Sequence, residues 1–422
     1  MAHVGKNEPR VAPVLAKISQ LPELDLLVRD KARRLVGHLQ GESAREALPR
    51  PSSAPKAVDL TANPSPSIAD FLSDTIAAGA SDFHLATGFV PHRRLHGVLE
   101  PLPVPRMEPE RAEKLLREIL TEEEWSRLES ERQIDVCVRV EGLGRFRTNV
   151  FAHRGGLDAS FRVIPNEIPT LAEVGLPEHA WDVTKYTQGL VLVTGPAGCG
   201  KSTTLAALLD RVNESRSGHI ITVEDPVEFI HPNKESLVNQ RQVPHHTRSF
   251  ARALRAALRE DPDVILIGDL RDLETIQLAI TAAETGHLVF GTLSTTTAPA
   301  TVDRIVNSFP AGQQGQIRTM LSESLKAVFS QALLPRRDAK GRLAAFEILR
   351  TTQAVAALIR EAKTFQLPSI LQTGQLHGMI TMDQYLLKLA EEGRVDPEVA
   401  MDRAVKKEPF EKLVSEEKVA FA

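Results

Sequence analysis

The sequence predicts an α/β fold, and two features of its second half support this prediction. Short apolar runs alternate there with helical patterns. The apolar runs lie at residues 190–194, 219–223, 264–268 and 288–293, and the helical patterns include 250–259 and 273–284. Strands that are apolar along their whole length are typical of a parallel sheet covered by helices on both faces. The second feature is a glycine-rich segment directly after the first apolar run.

The glycine-rich segment has the spacing of a phosphate loop. It reads GPAGCGKS over residues 195–202 and fits G-x-x-x-x-G-K-[ST]. Its glycines let backbone N–H groups face phosphates, the helix that begins near Lys201 adds its N-terminal dipole, and Ser202 can offer a hydroxyl to Mg²⁺. A chance glycine-rich turn would lack the strand before it and the helix after it. We therefore predict that a nucleoside triphosphate binds to Gly195, Pro196, Ala197, Gly198, Cys199, Gly200, Lys201, Ser202 and Thr203.

Composition narrows the class of protein. The 422 residues exceed one ordinary core and predict two or three domains. A net charge of -4 indicates no general attraction to nucleic acid, so no nucleic-acid partner is expected. Two cysteines exclude a four-cysteine zinc site and fit a reducing cytoplasm. Because we find no signal peptide and no long apolar run, we expect a cytoplasmic chain without a membrane span.

Shifts in composition along the chain predict five segments. They are a helical N-terminal extension (1–48), a Pro- and Ser-rich linker (49–67), a compact α+β domain (68–169), the α/β domain (170–352) and a C-terminal helical region (353–422). Beyond residue 299 the pattern predicts helix almost throughout.

Carboxylates follow the second and third predicted strands, at the sheet edge where open α/β sheets bind ligands. Glu224 and Glu228 follow the second strand, and either can position Mg²⁺ or water. Asp269 follows the third strand, the place of a Walker B carboxylate beside the metal and the attacking water. Asp269 is therefore the predicted catalytic base and a predicted metal ligand. Two alternatives remain open. The carboxylates after the second strand can form only a solvated acidic turn, and Asp269 can cap the helix that follows it.

Other candidate residues have weaker local support. Arg145, Arg147 and Arg162 of the preceding domain have the chemistry to bind a triphosphate held between domains or between subunits. Taken singly, each fits a surface position better. His287 precedes the fourth predicted strand, where a lone histidine is more often structural.

The motifs taken together resemble those of the secretion-type ATPase superfamily, most closely the PilT-like retraction ATPases of type IV pili. The resemblance covers about residues 68–392. In chain order, the matching segments are ASDFHL at 80–85, GRFR at 144–147, FRVIP at 161–165, the phosphate loop, EDPVEF at 224–229, ALREDPD at 257–263, RDLET at 271–275 and TGHLVFGTL at 285–293.

The resemblance implies a PAS-like α+β domain joined to a RecA-like ATPase domain, with ATP and Mg²⁺ as ligands. It also implies a homo-hexameric ring at the inner face of the cytoplasmic membrane, acting on the inner-membrane platform protein so that pilin is withdrawn. Extension and type II secretion ATPases of the superfamily typically have a four-cysteine zinc motif that two cysteines cannot supply. This difference favours the retraction branch.

The resemblance also enlarges the predicted site. Arg271 and Glu228 join Asp269 as catalytic residues. Nucleotide binding extends to Glu224, His287, Arg147 and Arg162.

Three departures lie where the family has its chemistry. Asp269 replaces a glutamate, Ser294 replaces a second histidine, and residues 354–361 lack an arginine and an asparagine of the family pattern. A misplaced base slows turnover by part of the roughly 10²- to 10⁴-fold that general-base catalysis contributes, and it leaves binding intact.

Three functional hypotheses follow from this pattern. The first is an ATP-hydrolysing retraction motor. The second is an attenuated paralogue that binds nucleotide and regulates or assists a more active retraction ATPase. The third is a secretion or DNA-transfer ATPase, against which the missing zinc motif and the lack of a basic stripe both argue.

Overall fold

The computed structural model describes residues 59–63, 65–95, 97–165, 167–339 and 341–420. The predicted N-terminal extension, 1–48, and most of the predicted linker, 49–67, lie outside the described residues. Two β-sheets with helices packed against them form the described chain. None of the described helices combines the length and the apolar character needed to cross a bilayer.

The first sheet is antiparallel and has three helices on one face. Its strands are β1 (Asp82–Leu85), β2 (His92–Leu95), β3 (Val98–Pro101), β4 (Gln133–Val140), β5 (Gly144–His153) and β6 (Gly156–Ile164), and its helices are α1 (Ile68–Ala77), α2 (Pro109–Arg117) and α3 (Glu122–Glu131). The strand order is β3-β2-β1-β6-β5-β4. Phe83, Phe146 and Phe161 are fully buried in the core shared with the helices. Because side chains alternate along a strand, their neighbours form a polar opposite face.

The second sheet has seven strands. They are β7 (Gly189–Thr194), β8 (His219–Glu224), β9 (Leu237–Gln242), β10 (Val264–Ile267), β11 (Leu288–Leu293), β12 (Leu325–Pro335) and β13 (Arg342–Arg350). The strand order is β13-β12-β7-β11-β10-β8-β9, and every neighbouring pair is parallel except β12 and β13. The four predicted strands are β7, β8, β10 and β11. The parallel sheet and the α/β fold class are thus confirmed.

Helices cover both faces of the second sheet. They are α4 (Leu171–Val174), α5 (Lys201–Ser215), α6 (Phe250–Ala257), α7 (Leu273–Glu284), α8 (Ala298–Asn307), α9 (Ala311–Ser324), α10 (Gln353–Arg360), α11 (Leu367–Thr373), α12 (Met382–Glu391), α13 (Pro397–Arg403) and α14 (Glu408–Ala420), with short 3-10 helices at Glu178–Lys185, Thr364–Gln366 and Gln375–His377. Alternate residues of β7 pack into two different hydrophobic cores, one on each face of the sheet. Val191 and Val193 belong to one core, and Leu190 and Leu192 belong to the other.

The prediction of helix almost throughout beyond residue 299 is wrong for β12 and β13. These two strands form a long antiparallel pair, and β12 is also parallel to β7. The sequence of β12, LKAVFSQALLP, is buried along most of its length. Such a run has no period-two alternation, so periodicity does not distinguish it from a buried helix.

Candidate active site

The phosphate loop connects β7 to α5 at the carboxyl edge of the seven-stranded sheet. Gly195, Gly198 and Gly200 have φ values of 144°, 76° and 93°, a region that favours glycine. Lys201 is the first residue of α5, and its Nζ donates hydrogen bonds to the carbonyl oxygens of Gly195 (2.8 Å) and Pro196 (3.0 Å). The lysine ammonium therefore lies over the beginning of the loop.

The donors at this loop suit a polyphosphate. The first N–H groups of α5 have no intrahelical partner, and within the described chain no side chain caps this N-terminus. Half-buried Ser202 and Thr203 belong to the same turn, where the helix dipole adds positive charge. Within the described residues no cluster of three or more His, Cys, Asp or Glu side chains forms a metal site. Ser202 and Asp269, which the sequence predicts as Mg²⁺ ligands, both lie at this edge of the sheet, after β7 and β10 respectively.

A side chain of β12 forms hydrogen bonds with the loop and with the start of α5, a contact that the sequence did not predict. The amide Nε2 of Gln331 donates to the carbonyl of Cys199 over 2.7 Å, and its Oε1 accepts from Thr204 Oγ1 over 2.8 Å. Close by, the hydroxyls of Thr194 and Ser330 are 2.9 Å apart. A glutamine within an otherwise largely apolar run is the signal that could have revealed this support.

The first acidic turn begins where β8 ends. The Oε1 atom of Glu224 accepts hydrogen bonds from Thr222 Oγ1 (2.6 Å) and Gln240 Nε2 (3.2 Å). Burial raises the pKa of Glu224 to about 7, because it outweighs the lowering effect of these two hydrogen bonds. The carboxyl group is thus held between β8 and β9.

Arg145 of the antiparallel sheet contacts the backbone of this same turn. Its Nη1 and Nη2 atoms donate to the carbonyl oxygens of Val227 (2.7 Å) and Glu228 (2.5 Å). The Glu228 side chain is half-buried beside this contact. Arg145 therefore positions the acidic turn, a different role from the phosphate contact considered in the sequence.

The second acidic turn follows β10 and lies against the first. The N–H of Gly268 donates to Val223 O over 2.8 Å, and a Cβ on Gly268 would stand 3.2 Å from the Cα of Glu224. Glycine at this position allows the two acidic turns to approach each other closely.

Asp269 forms an exposed ion pair in this second turn. Its Oδ2 accepts a hydrogen bond from Arg271 Nε over 2.6 Å, and this bond is the main cause of the raised pKa of Arg271. The alternative in which Asp269 caps the next helix is wrong. The N-cap of α7 is Asp272, which accepts from the N–H of Thr275 over 2.8 Å.

The ends of β11 place Ser294 and His287 at opposite edges of the sheet. The N–H of Gly195 donates to Leu293 O over 3.2 Å, so Ser294 lies beside the phosphate loop. His287 precedes the strand, and its carbonyl accepts from the N–H of Gly189 at the other end of β7. A strand of this length separates the two edges by roughly 20 Å. The structure therefore does not bring His287 to the phosphate loop of its own chain.

Arg147 and Arg162 lie on the polar face of the antiparallel sheet. They are paired in register on β5 and β6, and both are exposed. Arg162 Nε donates to Asp82 Oδ1 over 2.8 Å. Among the contacts of the described residues, neither arginine touches the phosphate loop.

The parallel sheet, the glycine loop and the acidic turns at one edge define a P-loop nucleoside triphosphatase. The family model described as "Type II/IV secretion system protein" matches residues 65–382. The type IV pilus retraction ATPase PilT of Pseudomonas aeruginosa is 46% identical over 343 residues, which are 81% of this chain and 99% of that protein. This chain therefore belongs to the type II/IV secretion system proteins and, within them, to the type IV pilus retraction ATPases.

Two further comparisons agree. A twitching motility protein of Neisseria gonorrhoeae is 49% identical over 74% of this chain and 84% of that protein. The crystal structure of the pilus retraction motor PilT with bound ADP matches with a TM-score of 0.75 and 45% identity, over 82% of this chain and 99% of that one. The fold class and the ATPase activity predicted from the sequence are thus confirmed.

Proposed function

We propose that this chain is the ATP-hydrolysing motor of type IV pilus retraction. In this proposal it forms a homo-hexamer at the inner face of the cytoplasmic membrane and acts on the inner-membrane platform protein of the pilus. The observation that supports it most is a complete phosphate loop with two acidic turns at one sheet edge, in a chain 46% identical to a retraction ATPase over 99% of that protein.

Each residue at this edge has a role in the proposed hydrolysis. The loop N–H groups and Lys201 bind the phosphates and stabilise the charge that develops in the transition state. Mg²⁺, when bound beside Ser202, neutralises phosphate charge. Asp269 accepts a proton from the attacking water, and its ion pair with Arg271 orients the carboxylate. Glu228 orients the same water.

Arg147 and Arg162 have a place in this proposal through the ring. Both guanidinium groups are exposed on one sheet face, where they are available to the nucleotide of an adjacent subunit. Arginine suits this task because its planar fork binds phosphate oxygens in pairs.

The direct test is Mg²⁺-dependent ATP turnover by the purified full-length chain, with Lys201→Ala as the blank. We expect turnover well above the blank, and we expect cells that carry Lys201→Ala to assemble pili without retracting them. Light scattering of the same preparation tests the hexamer. Turnover equal to the blank would contradict an autonomous motor.

A second candidate is favoured by Asp269 and Ser294, which replace the glutamate and histidine of the family pattern at this edge. It is a nucleotide-binding paralogue that regulates a more active retraction ATPase. Nucleotide binding without turnover, together with retraction that needs both proteins, would identify this role.

A further inference from the structure

Gln331 of β12 is a buried polar residue, 3% exposed, to which neither the sequence motifs nor the proposed mechanism assigns a role. It follows Ser330, which is paired in register with Thr194, the last residue of β7. A buried amide needs partners for both its donor and its acceptor, because an unpaired one destabilises the fold. The partners of Gln331 identify what it positions.

Both hydrogen-bonding atoms of the amide reach the phosphate-loop segment. Nε2 donates to the carbonyl of Cys199 (2.7 Å), within the loop, and Oε1 accepts from the Thr204 hydroxyl (2.8 Å), in the first turn of α5. Cys199 and Thr204 are themselves buried. A single side chain of β12 therefore joins the end of the loop to the start of the helix.

Two loop glycines also lie directly against Gln331. A Cβ on Gly195 would stand 2.4 Å from the backbone oxygen of Gln331, and a Cβ on Gly200 would stand 3.0 Å from its Nε2. Real Cβ atoms essentially never approach a backbone atom as closely as the first of these distances. Gly195 is thus required for close approach to β12, whereas a Cβ on Gly200 would only displace the Gln331 amide slightly.

The bond to Cys199 sets the direction of the next N–H group. The Cys199–Gly200 peptide is trans, and in a trans peptide C=O and N–H point in opposite directions. Because the Cys199 carbonyl points at Gln331, the Gly200 N–H points away from the Gln331 amide. We propose that Gln331 is a positioning residue that keeps this N–H directed at the bound phosphates.

The hydrogen bond from Gln331 is needed because residue 200 is a glycine. Without a Cβ, Gly200 adopts many φ values, so the peptide can rotate when nothing holds the Cys199 carbonyl. A rotated peptide would present a carbonyl oxygen to the phosphates in place of an N–H donor. The inference rests on the proposed function only in taking an adenine nucleotide as the ligand.

The test is the affinity of the full-length chain for ADP with Mg²⁺, measured by calorimetry. Gln331→Met keeps the length and removes both hydrogen bonds. Gln331→Glu keeps the acceptor for Thr204 and removes the donor to Cys199. We expect the Kd to rise about tenfold in both variants, equivalent to about 1.4 kcal/mol, and the KM for ATP to rise with it while kcat changes less than about threefold.

Ser330→Ala is the matched control. It removes the 2.9 Å bond between β12 and Thr194 of β7 and does not touch the loop peptide, so we expect a lower Tm with the Kd within about twofold of wild type. A wild-type Kd in folded Gln331→Met or Gln331→Glu would overturn the proposal, as would an equal loss in Ser330→Ala. If Gln331→Met does not fold, Gln331→Glu decides. If the wild-type chain binds ADP normally but does not hydrolyse ATP, the proposed motor function is contradicted and the proposed role of Gln331 is not.

Discussion

Asp269 stands where the family pattern has a glutamate. Its carboxylate is one methylene shorter than a glutamate and is held by Arg271 at 2.6 Å. We expect Asp269→Glu to raise kcat about tenfold, because a longer carboxylate reaches further towards the attacking water, within the roughly 10²- to 10⁴-fold range of general-base catalysis. Single-turnover kinetics with ATP measures this.

Asp269→Asn provides the control for that substitution. It keeps the length of the side chain and removes the proton acceptor, so we expect turnover to fall to the Lys201→Ala level while ADP binding persists. An Asp269→Asn variant with wild-type turnover would show that another group accepts the proton.

Glu224 makes stability depend on pH. Its pKa rises from an ordinary 4.5 to about 7 on burial, so between these values the folded chain binds a proton that the unfolded chain has released. The free energy of unfolding therefore falls as the pH rises through this window. We expect Glu224→Gln to flatten that slope in urea titrations between about pH 5 and pH 8. Glu235→Gln, at an exposed position, is the control, and an equal change there would contradict the assignment to Glu224.

At the scale of the element, β12 determines which substitutions the phosphate loop tolerates. Gly195→Ala would place a Cβ 2.4 Å from Gln331 O and 2.6 Å from Cys199 Sγ, at a φ of 144°. We expect it to lower the free energy of unfolding by about 2–3 kcal/mol and to weaken ADP binding. Chemical denaturation and calorimetry measure the two effects.

Gly315→Ala is the matched control for the loop glycine. Gly315 lies within α9, and a methyl group added there would meet no neighbouring atom within 4 Å. Because alanine favours helix, we expect this variant to gain about 0.5–1 kcal/mol. Destabilisation of both variants to the same extent would contradict the close contact at Gly195.

The elements differ in how far the sequence predicts them. Residues 190–194, 264–268 and 288–293 predict β7, β10 and β11 within one residue of the observed bounds, because Gly and polar residues flank short apolar runs. β12 is buried along most of its length and directly follows α9, so neither alternation nor a turn marks its start. β9, with the sequence LVNQRQ, is a polar edge strand that the apolar pattern does not predict either.

The same limits apply to the site. The glycine spacing predicts the loop because backbone geometry there is a local property. Gln331 and Arg145 act through contacts across 132 and 83 residues of chain, respectively, and a single sequence contains no pairing information at that distance. The motif assigns His287 to the nucleotide site, whereas the strand register places it at the other edge of the sheet.

At the scale of the whole molecule, Arg145 connects the antiparallel sheet to the acidic turn after β8. We expect Arg145→Lys to lower kcat about three- to tenfold, because one ammonium cannot reproduce two hydrogen bonds from a planar fork. Hydrogen exchange of the amides at 225–230 should quicken in the same variant.

Arg139→Lys is the control for this connection. Arg139 is exposed and paired in register with Arg145 on the neighbouring strand, so we expect wild-type turnover and exchange. If Arg145→Lys also leaves both unchanged, the contact with Val227 and Glu228 has no part in turnover.

The position of β12 beside β7 also has a consequence for biosynthesis. A ribosome completes the glycine loop more than a hundred residues before it reaches Gln331, since their contact spans 132 positions. Until then β7 has an unpaired edge, the kind of edge on which other chains can pair. A nascent chain that ends before residue 325 should therefore fail to retain ADP and should be captured by chaperones. A nascent chain that extends past residue 350 should retain ADP and should not be captured.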